Sequence, residues 1–520
     1  MPSTQHLSPQ LSRRGFLAAT GGLGAALALA ACSSSGGNSG GGLSGASTAL
    51  LPSTAPVGWS KVIAQANAKL KKDLGFTLDA QFTAWTNYGQ QALLKFTAGA
   101  HFDTALEALW LNMSQLVQSQ SLVDLSGEIG KYPNLKAQLS SQLIAANTWS
   151  GGKLWGVPQV NSAGRIQHFT IRQDLAEKYG FTDIQDYDTL ERYFYAVKQK
   201  AGITPFAASS NSTFLYVVPG PVGLFNAQSW TDPLTSAHQF TGSNLYFLFD
   251  RNAATTGSSN PKPFWEDAGC LDAFNRIRKY NQDGIIDANA ISTDQATANS
   301  RWNAGGYAAI WAMSDGTSSN GLPTLQKTVK SAQLANVMPL PAGAKPLQTF
   351  QADNVVVVNA NGGDLDRTMH LQDWLSIQEN HDLVEYGIQG TDWEPAADNK
   401  YKILSQYAFP GFGLLWRSKL ERRSIYMTAS EEKIFDWAQE YGNFTLDPFA
   451  TFIPDITPVK QEIAQMTNVM TQYANPLYYG VSDVTSQLSK LKAAADSAGL
   501  DKVQAEMAKQ ADAHLKAQKS

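Results

Sequence analysis

Two hydrophobic periods alternate along the chain. Apolar residues recur every three to four positions from Lys61 to Leu74, which predicts an amphipathic helix, and at every second position from Phe76 to Phe82, which predicts a strand. A helix is predicted from Gln90 to Ala98 and stops at Gly99. The apolar run Thr104 to Leu111 is short enough for a buried strand, and Met113 to Gln120 returns to helical spacing. This alternation predicts a parallel sheet covered on both faces. Lys153 to Pro158 and Ile166 to Ile171 read as further strands, and Gln173 to Tyr179 as a short helix closed by Gly180. Asp188 is an N-cap with Glu191 three residues on, and Leu190, Phe194 and Val197 form one apolar face up to Gly202. Strands are expected at Gly306 to Met313 and Asn354 to Val358, and one long helix from Leu365 to Tyr386. Beyond Tyr407 the pattern is helical: a start at Thr457 and Pro458, then Val484 to Ala498 and Asp501 to Ala517, parted by Gly499. There is no internal repeat.

The first residues follow a different logic. A charged patch, an apolar stretch and a small-residue site occur in the order of a secretory signal, so residues 1–31 are set aside from the fold. Ser12-Arg13-Arg14-Gly15-Phe16-Leu17 resembles the twin-arginine export motif, and Leu29-Ala30-Ala31-Cys32 resembles a lipobox, whose cysteine sulfur receives a diacylglyceryl group. The segment between them is rich in Ala and Gly and shorter than the roughly 20 strongly apolar residues of a spanning helix. Residues 32–47, Ser- and Gly-rich, are expected to be a flexible tether that holds a folded body at the outer face of the cytoplasmic membrane.

With 520 residues, 43% hydrophobic and 16% charged, the chain can bury a core large enough for two lobes. A net charge of −4 shows no basic surplus and argues against nucleic acid as a partner. If Cys32 is lipidated, Cys270 has no partner in the chain and reads as a small buried apolar residue. Catalytic signatures are missing: there is no G-x-S-x-G, H-E-x-x-H, C-x-x-C or phosphate-cradling loop, and the seven histidines lack zinc-site spacing. A glycosidase carboxylate pair has no fixed sequence spacing, so an extracellular glycoside hydrolase or esterase lipoprotein stays open as the alternative. An aromatic cage for choline-like cations is a third class.

The order of features from Phe82 to Leu125 resembles the extracellular solute-binding proteins (family 1) of carbohydrate ABC importers. Gly152-Lys153-Leu154-Trp155-Gly156-Val157-Pro158, Ile171-Arg172-Gln173-Asp174-Leu175-Ala176-Glu177-Lys178-Tyr179-Gly180 and Thr204-Pro205-Phe206 continue the likeness. So do Trp302-Asn303-Ala304-Gly305-Gly306-Tyr307 and Tyr386-Gly387-Ile388-Gln389-Gly390-Thr391-Asp392-Trp393-Glu394, and the tail from Tyr479 to Val503 is similar to the larger oligosaccharide-binding lipoproteins of that group. The resemblance implies an α/β protein with the two-lobed periplasmic-binding-protein (type II) fold, a hinge, an interlobe cleft and a helical C-terminal segment. It places lobe 1 at 48–160 plus 340–405 and lobe 2 at 161–339 plus 406–520, with crossings at Pro158 to Gly164, Val337 to Pro341 and Tyr386 to Pro410. It further implies a monomer that binds an oligosaccharide and delivers it to ABC importer permease subunits, without a cofactor. Some members carry an acidic calcium loop where this chain has Lys198-Gln199-Lys200-Ala201-Gly202-Ile203, so no metal is expected there.

Sugars show apolar C–H faces and a rim of hydroxyls, which calls for flat aromatics and for Asn, Gln, Asp or Arg. Strand ends offer Trp85 and Asn87, then Trp110 and Asn112, and the first crossing offers Gln159, Asn161 and Arg165. For Arg165 the alternatives are a uronic acid carboxylate or a surface ion pair. By resemblance, Trp311 and Asp315 face the cleft, Gln351 and Asp353 open another strand, and Trp393 and Trp416 are platforms.

Overall fold

A computed structural model describes residues 43–149, 151–164, 166–210, 218–219, 236–239, 245–250, 252–340, 343–352 and 354–518. The twin-arginine motif and Cys32 lie outside the described residues, as do Arg165 and Asp353. In chain order the elements that shape the site begin with β1 (Ala46–Pro52), α1 (Trp59–Leu74), β2 (Thr77–Thr83), α2 (Trp85–Thr97), β3 (Thr104–Glu107) and α3 (Met113–Gln118). Next come β4 (Val157–Gln159), β5 (Gln167–Arg172), α4 (Tyr187–Ala201), β6 (Thr204–Phe206), α5 (Ala268–Asp283), β7 (Tyr307–Met313), β8 (Leu334–Val337) and β9 (Asn354–Val358). The C-terminal part holds α6 (Leu365–Trp374), α7 (Gln378–Glu385), α8 (Ala429–Gln439), α9 (Lys460–Val469), α10 (Val484–Ser497) and α11 (Leu500–Ala517).

The protein has two lobes, each built on one sheet. The first sheet runs β2-β1-β3-β9-β4, with β1 parallel to β2 and β3, and β9 antiparallel to β3 and β4. Alternation along β1 splits its side chains between two cores. Ala49 and Leu51 pack with Val62, Ala66 and Leu70 of α1, while Leu50 packs with Tyr88, Ala92 and Phe96 of α2. The sheet is therefore covered on both faces. Gly75 ends α1 at φ +87°, and a Cβ there would lie 2.4 Å from the Leu43 carbonyl oxygen. The second sheet runs β8-β5-β7-β6 and shares a large core with α4, α5 and the C-terminal helices α9 to α11.

The chain leaves the first sheet after Gln159 and enters the second at Gln167; it returns between Val337 and Asn354. The third crossing comes later than Pro410. Tyr407, Phe409, Leu414 and Leu415 still pack with β1 and α1 of the first lobe, and only Ile434 and Ala438 of α8 join the core of the second. Apolar residues without strand periodicity hid this extension.

Other departures from the sequence pattern have local causes. The expected tether overlaps the fold, since β1 starts at Ala46, Ser47 is fully buried, and Gly45 O accepts a hydrogen bond from Thr77 N at 3.0 Å. Asp186, not Asp188, caps α4, accepting from Thr189 N at 2.7 Å. The single helix expected from Leu365 to Tyr386 is two. Ser376 Oγ donates to Gln372 O at 2.7 Å and Asn380 Nδ2 to Trp374 O at 2.9 Å, so side chains replace the backbone donors at the break. Among the described residues no helix is long and apolar enough to cross a membrane.

Candidate functional site

The strand that was expected to reach Leu111 stops at Glu107 because this side chain organises the turn beyond it. Glu107 is fully buried and accepts from Asn112 N at 3.0 Å and Asn112 Nδ2 at 3.2 Å. Burial raises its carboxyl to about 7, against those hydrogen bonds, which lower it. The turn carries Trp110 outward, 46% exposed, to meet Trp85 at the start of α2, 51% exposed. Their ring centroids are 5.7 Å apart. Trp85 also meets Phe412 at 5.6 Å, and Phe412 meets Trp416 at 5.7 Å. An aromatic wall thus runs along the C-terminal edge of the first sheet into the crossings.

This wall borders a cavity of about 160 Å³ between the lobes. Asn161 of the first crossing, Asp315 and Thr317 after β7, Glu385 and Tyr386 at the end of α7, and Trp416 with Glu421 of the third crossing line it. Both lobes and two crossings contribute, so occupancy of the cavity is coupled to their relative position.

Behind the cavity lies a charged network that sequence reasoning missed. Arg417 is 1% exposed; it donates to Gln159 Oε1 at 3.0 Å, Gln372 Oε1 at 2.7 Å, Ser376 Oγ at 3.2 Å and Trp416 O at 2.8 Å. Burial lowers its guanidinium to about 9. An isolated parallel bridge joins Val160 to Arg417, so the first and third crossings run side by side. His381 is fully buried, with Nε2 3.3 Å from Glu421 Oε1 and Nδ1 3.6 Å from Asp382 Oδ1. Burial alone would discharge this imidazole, but Glu421 and Asp382 outweigh it and hold it charged up to about 9. Burial, then the Glu421 charge, raise the Glu385 carboxyl to about 8. In the second lobe Asn336 donates to His168 Nε2 at 3.0 Å and to Ser318 Oγ at 2.7 Å, pinning the loop after β7; burial lowers His168 to about 3.

Of the expected ligand residues, Asn161, Asp315 and Trp416 meet in the cavity, and Trp85 and Trp110 extend its wall. Asn87 is exposed on α2. Gln351 lines a smaller recess in the first lobe with Trp149 and Trp155, and Trp311 lies partly buried against the core of the second lobe. Three other expected residues are engaged within the protein. Trp393 is 4% exposed, donates to Gly387 O at 3.0 Å and lies under the Arg422 guanidinium. Gln159 is 1% exposed and engaged with Arg417, and Asn112 is bound to Glu107 and to Gly89 O at 3.0 Å. Among the described residues no group of three or more His, Cys, Asp or Glu is placed to hold a metal.

Comparison with solved structures agrees with this architecture. The N-glycan transport solute binding protein NgtS from Streptococcus pneumoniae superposes with a TM-score of 0.72 at 21% identity, over 91% of this chain and 99% of its own. The chain has the fold of an extracellular solute-binding protein. The same solute-binding protein in complex with Man5GlcNAc gives a TM-score of 0.66 at 21% identity, over 91% of this chain and 98% of its own. A carbohydrate ABC transporter substrate-binding protein from Streptococcus pneumoniae serotype 4 (strain ATCC BAA-334 / TIGR4) is 24% identical over 478 residues, 89% of this chain and 90% of that relative. A family model described as a domain of unknown function (DUF3502) matches residues 448–516, which hold α9, α10 and most of α11 of this solute-binding fold.

Proposed function

We propose that the chain is the substrate-binding protein of an ABC importer, and not an enzyme, and that it captures an oligosaccharide between its lobes for delivery to a membrane permease. The observation that carries this reading is the interlobe cavity bordered by Trp85, Trp110, Phe412 and Trp416. It offers flat apolar surfaces for sugar faces beside polar groups for the hydroxyl rim. A ligand touching both lobes favours the closed form, which the permease then recognises. The protein acts as a monomer outside the cytoplasmic membrane, exported through the twin-arginine motif and anchored by lipid on Cys32. The ligand set includes Trp85, Asn87, Trp110, Asn161, Arg165, Trp311, Asp315, Gln351, Asp353 and Trp416. NgtS has been solved with Man1GlcNAc and Man5GlcNAc, so mannose- and N-acetylglucosamine-bearing oligosaccharides are the first ligands to try. Calorimetry and intrinsic fluorescence across neutral, amino and acidic oligosaccharides test the assignment. Saturable binding of at least one supports it; no binding by any overturns it.

A further inference from the structure

Two of the rings in the aromatic wall are tied to one buried carboxylate. Glu107, fully buried at the end of β3, divides its oxygens between the two donors of one residue: Oε2 accepts from Asn112 N at 3.0 Å and Oε1 from Asn112 Nδ2 at 3.2 Å. The same Nδ2 donates to Gly89 O at 3.0 Å, so Asn112 joins the turn that carries Trp110 to α2, the helix that begins with Trp85. Tyr88 stacks on Trp85 at 6.4 Å and places its hydroxyl 2.8 Å from Leu106 O and 3.0 Å from Leu50 O, which seats the helix on the sheet. Trp85 and Trp110 stand at the surface, 5.7 Å apart and tilted by 58°. Glu107 does not reach that surface, so it serves a ligand only through the rings it holds.

We infer that Glu107 is a positioning residue for the sugar ligand: through Asn112 it sets the placement of Trp110 against Trp85, the platform that receives a sugar ring. The inference rests on the oligosaccharide reading of the cleft and adds to it a residue that does not touch the ligand. Each oxygen of the carboxylate accepts one Asn112 donor. Once protonated, one oxygen carries a hydrogen that faces an N–H, and one of the two bonds is lost. Burial raises this carboxyl from the ordinary 4.5 to about 7, against the hydrogen bonds from Asn112 and the Ala108 N–H, which lower it. From α2 the titratable group that faces it is Tyr88, which burial and then the Glu107 charge hold well above 10, so the phenol stays neutral. On β9 its register partner is Val355. Below about 7 the neutral form loosens the turn, and above it the carboxylate holds both bonds, so sugar affinity rises with pH.

The test uses the full chain. Binding of Man5GlcNAc, or of the saccharide from the panel above that binds in its place, is measured by calorimetry at pH 5.5 and pH 7.5 in the wild type, E107Q and W110A. Intrinsic fluorescence of the sugar-free proteins is followed over the same range. The expected wild-type result is affinity about fivefold higher at pH 7.5, as for one hydrogen bond regained, with a fluorescence step near pH 7. E107Q, whose amide offers a single acceptor oxygen, keeps the lower affinity at both pH values and shows no step. W110A lacks the ring through which Glu107 acts, so its step is gone and the affinity that remains is independent of pH. Where E107Q does not fold, the wild-type and W110A series carry the test. Wild-type affinity indifferent to pH, no fluorescence step, or a pH dependence undiminished in E107Q or W110A overturns the inference. A protein that shows the step but binds no saccharide overturns the proposed function instead.

Discussion

Arg417 is a charge that water cannot reach and that no carboxylate side chain pairs directly; it is held by two amides, a hydroxyl and a backbone carbonyl. Removing it leaves Gln159 Oε1 without its donor and Gln372 Oε1 with only a 3.4 Å bond from Gln159 Nε2, so R417M is expected to lower unfolding free energy by about 3–5 kcal/mol in urea titrations. R417K should recover little of this, because one ammonium cannot reproduce a planar fork of donors. Recovery by Lys to wild-type stability would contradict the geometry. The charged state of His381 gives a second expectation. Its folded value, about 9, lies above the ordinary 6.5, so its stabilising contribution is complete below pH 6.5 and is lost as pH rises through 9. Glu385, raised to about 8, acts in the same direction between its ordinary 4.5 and that value. The melting temperature should therefore fall from pH 6.5 to 9, and fall less in H381N; a flat wild-type profile would refute this. At this scale the sequence yields Trp85, Trp110 and Asn161 from residue chemistry beside strand ends. Arg417 and His381 stay hidden because their partners come from distant segments.

Helices were the most legible elements. The buried positions of α1 and α11, such as Val62, Ala66 and Leu70 or Val503, Met507 and Ala511, repeat at four-residue spacing that local sequence reveals. Breaks were not, since Ser376 and Asn380 act through contacts that form only when α6 and α7 pack. Gly480, which follows the last turn before α10, sits at φ +64°, and a Cβ there would stand 2.4 Å from the Ile277 carbonyl oxygen of α5. G480A combines left-handed strain with a backbone clash and should cost about 1–3 kcal/mol by chemical denaturation. A change below about 0.5 kcal/mol, the usual surface effect, would mean that α5 and this turn move apart freely.

For the whole molecule, three strands of chain cross between two separately packed lobes, and the cavity wall draws on both sides of that junction. The lipid anchor proposed at Cys32 precedes Leu43, the first described residue, and C32S is expected to move the protein from membrane to medium in cell fractionation while leaving oligosaccharide affinity unchanged. Loss of affinity as well would show that residues before Leu43 belong to the binding body. Periodicity and glycine stops determined by themselves the α/β class, because helix and strand spacing are local properties of the chain, whereas the paired lobes were implied by the resemblance in motif order. Tertiary structure alone decided that Trp393 and Gln159 face inward, that residues 407–415 stay with the first lobe, and that Asn161, Asp315, Glu385 and Glu421 line one cavity. Burial and charge pairing depend on which distant segments meet, and sequence spacing does not encode that meeting.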